Sequence, residues 1–212
     1  MNMEVMILNS ETADYERVLH AVSEDRRRLS LSFVFERDRR LSACAGLFMK
    51  YLETVYDGKI SVDPLGKPRM DRICFNISHS GRYVACAVSG FEVGVDIEQI
   101  GANSDLAPSV MTPGELELFS SYSGDREVLF TRFWTAKESV MKAVGLGMEL
   151  PPGSFRVLYR DGIRQENFGT MKITELEAPP GYCISVCSSD PDVPQEAVSA
   201  DADAMIRRCM QT

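Results

Sequence analysis

Apolar positions follow two periods along this chain of 212 residues. Over 38–55, Leu41, Cys44, Ala45, Leu47, Phe48, Tyr51, Leu52 and Val55 return every three or four residues, which predicts an amphipathic helix. The same period returns over 127–144. Phe130, Phe133, Trp134, Val140, Met141 and Val144 form one broad apolar face there, and Thr131, Thr135, Glu138, Ser139 and Lys142 the polar one. Lys137 breaks the pattern, because its angle sets it among the aromatics. A lysine there either snorkels out along its stem or meets an anion. Gly145-Leu-Gly147 ends this helix in the manner of a C-cap. A shorter helix is predicted over 113–120, with Thr112 as N-cap and Glu115 in its first turn.

Elsewhere the period drops to two. Residues 3–8, 73–78, 83–88, 91–97, 155–160, 171–177 and 181–188 read as strands, with Asp161-Gly162 as a hairpin turn. A long helix, a proline–glycine loop and antiparallel strands thus occur twice. That outline predicts an α+β fold of two similar lobes related by a pseudo-twofold axis. Each lobe is a long helix packed on a mainly antiparallel sheet, with a cleft between the lobes. The lobes are expected over 1–100 and 101–190, with the seam in the Gly/Pro/Asn-rich stretch 99–113. The acidic tail 191–212 carries a short helix around 198–210.

Composition narrows the class. The chain is 44% hydrophobic and 25% charged, as a folded globule is. No apolar run approaches the ~20 residues of a membrane span. The first residues lack a basic stretch followed by an apolar core, so no signal peptide is expected and a soluble cytoplasmic protein is. None of the six cysteines sits in a Cys-x-x-Cys pair, which points to buried reduced thiols rather than zinc. A net charge of −8 argues against nucleic acid as the main partner. The charge is uneven, however. Arg26, Arg27, Arg28, Arg37, Arg39 and Arg40 crowd one stretch, which suits a small phosphorylated ligand or an acidic protein surface.

Candidate chemistry falls in four places. Asp96 and Glu98 share one strand face about 6–7 Å apart. They repel unless a cation or water separates them, and a hard cation such as Mg²⁺ suits such oxygens. A hydrated strand end is the plainer alternative. Glu138 and Lys142, four apart on a helix, share a surface; an ordinary solvated pair has the same spacing. Ser78 and His79 close a strand just before Gly81, a common place for ligand contacts, although a lone histidine is also often structural. Lys67 lies between Gly66 and Pro68 in the stiff loop 63–69, solvated or presented to a ligand.

Four stretches occur in one order: Gly66-Lys67-Pro68, Phe75-Asn-Ile-Ser-His-Ser-Gly81, Val93-Gly-Val-Asp-Ile-Glu98 and Phe133-Trp-Thr-Ala-Lys-Glu-Ser-Val-Met-Lys142. Together they resemble the 4′-phosphopantetheinyl transferases of the surfactin-synthetase-activator (Sfp-like) type. The resemblance is firm over about 66–147. It implies a Mg²⁺-dependent enzyme that moves the phosphopantetheine arm of coenzyme A to a serine of an apo acyl or peptidyl carrier protein, releasing adenosine 3′,5′-bisphosphate. By that resemblance Asp96, Glu98 and Glu138 hold the metal, and Asp96, Glu138 and Lys142 carry the catalysis. Lys67, Ser78, His79, Arg40 and Lys137 contact coenzyme A. Arg40 is the choice for the 3′-phosphate among Arg37, Arg39 and Arg40. The length is that of the two-lobed monomeric type, with no membrane or nucleic-acid partner. Two other readings stay open here: another Mg²⁺-dependent phosphoryl enzyme, such as a coenzyme A or nucleotide hydrolase, and a non-catalytic carrier-binding module.

Overall fold

The computed structural model describes residues 1–211. In chain order the elements are β1 (Glu4–Asn9), α1 (Tyr15–Ala21), α2 (Glu24–Ser32), α3 (Glu36–Val55), β2 (Ser61–Val62), β3 (Pro68–Arg69), β4 (Cys74–Ser80), β5 (Tyr83–Ser89) and β6 (Val93–Gln99). Then follow α4 (Ala107–Val110), α5 (Pro113–Ser120), α6 (Arg126–Val144), β7 (Leu158–Tyr159), β8 (Gly162–Ile163), β9 (Lys172–Leu176), β10 (Tyr182–Ser188), β11 (Val198–Ser199) and α7 (Ala202–Cys209). Among the described residues no helix is long and apolar enough to cross a membrane.

The architecture is α+β, with two long helices on two sheets, as the periods predict. The first sheet has the order β11-β1-β5-β4 and the second β6-β10-β9. All pairings in them are antiparallel except β1 with β11, which is parallel. Helix α3 buries Leu47, Phe48 and Leu52 completely in the first core, beside Phe75, Val84 and Cys86. Helix α6 buries Phe133, Ala136 and Val140 in a second core with Phe155, Val157 and Cys187.

Three features differ from the expectation. Strand β6 falls before the expected boundary at 100, yet it pairs with β10 along its whole length, Gln99 opposite Tyr182 and Val93 opposite Ser188. It therefore belongs to the second sheet. The segment after 190 does not trail away as a tail. Strand β11 joins the first sheet beside β1, and Met205, Ile206 and Cys209 of α7 enter the first core. The last residue of that segment, Thr212, lies outside the described residues. Third, the threonines and serine on the polar face of α6 do not meet water, while Glu138 and Lys142 stay partly exposed. Thr131, Thr135 and Ser139 are buried. Their hydroxyls return to the helix's own carbonyls of Glu127, Arg132 and Ala136, and Thr135 also bonds Ser185 of β10 at 2.9 Å. Small, internally satisfied hydroxyls let the helix lie close on the sheet at no cost in unpaired polar groups.

Gly94 completes that close approach. A Cβ there would run into the carbonyl oxygen of Ser139 and the backbone nitrogen of Ala143. Strand β6 and α6 thus touch backbone to backbone, which only glycine allows.

Candidate active site

The two sheets meet at their open edges, β4 against β6, and side chains bridge the join. Asn76 Oδ1 accepts from the backbone N–H of Val95 at 3.0 Å. Ser78 Oγ donates to Asp96 Oδ1 at 2.7 Å, and Ser80 Oγ donates to Glu98 Oε2 at 2.6 Å. Ser80 also accepts from the Gln99 N–H at 3.1 Å. Alternation on β4 puts Asn76, Ser78 and Ser80 on one face, opposite the buried Phe75.

Helix α6 supplies the third side. With Gly94 drawing it in, Lys142 Nζ reaches Asp96 Oδ1 at 2.6 Å, Ser78 Oγ at 3.0 Å and Glu138 Oε2 at 3.7 Å. Asp96, Glu98, Glu138 and Lys142 therefore gather at one point between β4, β6 and α6. Asp96 is 1% exposed, and its Oδ2 has no hydrogen-bond partner among the described residues. Burial pushes the carboxyls of Glu98 and Glu138 above the usual range, and the neighbouring Asp96 charge adds to both. Burial would lower Lys142, but the attraction of Asp96, their hydrogen bond, and Glu138 and Glu98 outweigh it and raise its pKa. Three acids thus share one ammonium, an arrangement that favours a further cation.

A cleft of about 510 Å³ opens beside Glu98, lined by Arg37, Asp38, Leu41, His79, Ser80, Gly81, Gln99 and Asn103 among others. On its other side Glu98, Gln99 and Asn103 also border a recess of about 210 Å³ walled by Leu106, Val110, Phe130, Thr131 and Trp134. His79 is exposed at the cleft, and partial desolvation by its neighbours together with the Lys142 charge lowers its pKa from the ordinary value.

The structure does not bring every expected residue here. Arg40 turns toward α1. It donates to the carbonyls of Ser10 and Ala13 at 3.3 Å, pairs with Glu36 and lies over the Tyr15 ring. Arg37 is the arginine of the three that lines the cleft. Lys67 is buried under the C-terminal end of α6, where Nζ donates to the Ala143 carbonyl at 3.2 Å and to Glu92 at 2.9 Å. A cation there complements the helix dipole instead of facing the cleft. Lys137 points away from the acids into the second core. It pairs with Glu115 Oε2 at 2.9 Å and donates to the carbonyls of Pro152, at 2.7 Å, and Phe155. Helical angle separates it from Glu138 by about 100°. Sequence reasoning passed over Ser80, whose place two residues after Ser78 on the same face was the available signal.

The donor set suits Mg²⁺: carboxylate oxygens only, one of them an orphaned buried Oδ2. No group of three or more His, Cys, Asp and Glu stands ready to hold a metal among the described residues, and Lys142 lies against Asp96.

Residues 92–187 match the profile of the 4′-phosphopantetheinyl transferase superfamily. That span holds Asp96, Glu98, Glu138 and Lys142. The 4′-phosphopantetheinyl transferase Sfp of Bacillus subtilis (strain 168) is 28% identical over 90% of this chain and 92% of its own. The 4′-phosphopantetheinyl transferase ffp of Bacillus subtilis is 29% identical over 94% and 95%. The 4′-phosphopantetheinyl transferase gsp of Aneurinibacillus migulanus is 37% identical over 58% of this chain and 55% of its own. The acids of β6 and α6 thus lie inside the span that matches the 4′-phosphopantetheinyl transferase superfamily, and the chain is similar to transferases of the Sfp-like type along nearly its whole length.

Proposed function

We propose that the chain is a 4′-phosphopantetheinyl transferase: it moves the phosphopantetheine arm of coenzyme A to a serine hydroxyl of an apo acyl or peptidyl carrier protein. The observation that carries this reading is the meeting of Asp96, Glu98, Glu138 and Lys142 beside a cleft bordered by Arg37 and His79. In the reaction the serine Oγ forms a bond to the phosphorus that bears the pantetheine. The bridging P–O bond breaks, and its electron pair leaves on the 5′-phosphate of adenosine 3′,5′-bisphosphate.

Each group has a task in that step. Glu138, at the mouth of the join, takes the serine proton. Lys142 binds a phosphate oxygen and steadies the leaving bisphosphate, moving off Asp96 as it does so. Asp96, Glu98 and Glu138 would hold one Mg²⁺, which supplies charge neutralisation on the diphosphate when bound. Ser78 and Ser80 keep the two β6 carboxylates turned toward the join. Arg37 and neutral His79 line the place for the nucleotide, with Arg37 taking the 3′-phosphate. The division of the chain that fits this site follows the sheets: one lobe built on β11-β1-β5-β4 and one on β6-β10-β9, with the reaction at their join. We read the protein as a cytoplasmic monomer, because β6 and α6, which build the site, come from one chain and Cys44, Cys86 and Cys187 are buried thiols, as suits a reducing compartment.

The test is direct. The protein is incubated with coenzyme A, Mg²⁺ and an apo carrier protein, and the carrier is weighed. A gain of about 340 Da, the mass of the arm on a carrier serine, is the expected result, with the bisphosphate released in equal amount. Coenzyme A cleavage with no gain in carrier mass would replace this reading with a hydrolase.

A further inference from the structure

We propose that Glu115 and Lys137 are positioning residues for the transfer reaction: their buried ion pair fixes the rotation of α6 about its own axis, and so the place of Glu138 against Asp96. This rests on the transferase reading above.

Both side chains are fully buried. The Glu115 carboxylate accepts from five donors. They are the N–H and hydroxyl of Thr112 at 2.9 Å, Lys137 Nζ at 2.9 Å, and the N–H groups of Val157 at 2.5 Å and Leu158 at 3.0 Å. Lys137 donates to Glu115 and to the carbonyls of Pro152 and Phe155, while its ammonium faces the rings of Phe133 and Phe155 at 5.1 and 4.5 Å. The pair thereby ties three separate pieces to one point of α6: the cap of α5, the turn at 152–155 and the backbone entering β7.

A buried ion pair is a weak source of stability, since apolar side chains of similar volume often do as well. What it adds here is direction. The seven hydrogen bonds just named are each directional, whereas apolar packing tolerates sliding.

The location gives that direction its use. Three consecutive residues of α6 face three ways. Lys137 anchors in the second core, Glu138 faces the acids, and the carbonyl of Ser139 presses on Gly94 of β6. The Gly94 contact sets how near the helix lies but leaves it free to roll. The Lys137 anchor, on another side of the same turn, stops the roll. A carboxylate carried roughly 6 Å from the axis moves about 1 Å for a roll of about 10°. A displacement of that size is enough to cost a reaction up to about 100-fold.

The experiment uses full-length Lys137→Met, Lys137→Arg and the double variant Lys137→Met/Glu115→Leu, which replaces the pair with apolar side chains and keeps the core filled. Folding is read by circular dichroism and melting. Turnover is read as mass transfer to an apo carrier protein, and nucleotide affinity with adenosine 3′,5′-bisphosphate. The double variant is expected to fold, to bind the bisphosphate within about threefold of wild type, and to lose roughly 10–100-fold in kcat. Lys137→Arg, which retains the charge, is expected to recover part of that loss. A folded double variant with kcat within about twofold of wild type would overturn the positioning role. So would a loss confined to nucleotide affinity. Failure of the wild-type protein to transfer at all would instead remove the transferase reading.

Discussion

Asp96 is the acid that meets β4 and α6 at once. It accepts from Ser78 and Lys142 on one oxygen and keeps the other free, although it is almost wholly buried. A buried, half-satisfied carboxylate is costly as structure and is expected where a ligand completes it. Asp96→Ala and Glu138→Ala should therefore reduce transfer to background while the chain stays folded by circular dichroism. Near-normal turnover in either variant would remove these acids from the site. His79 yields a second expectation. Its folded pKa lies below its ordinary 6.5, first through partial desolvation and then through Lys142. The unfolded chain then takes up the proton first as pH falls below about 6.5, so protonation of this residue favours unfolding. Stability is present above that pH and lost toward the folded pKa. His79→Gln should soften the fall in melting temperature between about pH 7 and about pH 5.5, relative to wild type. An equal fall in both proteins would show that the ring is not held neutral. At this scale the sequence put Asp96, Glu98, Glu138 and Lys142 on the faces that the fold brings together, because each sits in a local period that sets its face. It could not place Arg37 and Arg40, which lie three apart near the start of α3: Arg37 lines the cleft, and the neighbours Ser10, Ala13 and Tyr15 draw Arg40 away.

At the scale of elements, α6 and β6 act as one unit. The strand contributes Asp96 and Glu98, the helix Glu138 and Lys142, and Gly94 sets the gap between them. Gly94→Ala would push a methyl against backbone atoms, which cannot swing aside as a side chain can. The variant should lose about 1–3 kcal/mol in denaturant unfolding and lose transfer more than in proportion, since the helix is lifted from the acids. Unchanged stability and turnover would mean that α6 has room to spare. Helix and strand periods reveal both elements from the sequence. The inward turn of the helix's polar stripe was hidden, because threonine and serine at helical spacing look the same whether they meet water or satisfy themselves against a sheet.

On the scale of the whole molecule, the chain closes on itself. After β10 completes the second sheet, the segment from 191 crosses back to add β11 beside β1 and to pack α7 on α3. Met205 and Ile206 are buried there, and Arg17 of α1 meets Asp203 at 2.5 Å. That exposed ion pair contributes little, and the apolar contacts hold the return. Deleting 191–212 should thus expose the first core and leave α3 partly uncovered. The expected outcome is a large fall in melting temperature, or loss of soluble protein, rather than a change in turnover alone. A truncated chain that melts as the full one does would show that the return is dispensable. The sequence suggested an acidic tail with a short helix around 198–210; the hydrophobic stripe Ala202, Met205, Ile206 and Cys209 was the sign that this helix packs on the core.

What the sequence alone determined is local. Periods of 3.6 and two placed the helices and strands, put Asp96 with Glu98 on one strand face and Glu138 with Lys142 on one helix surface, and marked Lys137 as a lysine in need of an anion. Only the tertiary structure decided what each of these meets. It brought β6 to the second sheet, set Ser80 against Glu98, buried Lys67 under the end of α6 and gave Lys137 its partner in Glu115. The reason is physical. A side chain's face follows from backbone geometry within a few residues, but its partner follows from the packing of segments tens of residues apart, where burial and the need to satisfy every buried charge choose among many possible neighbours.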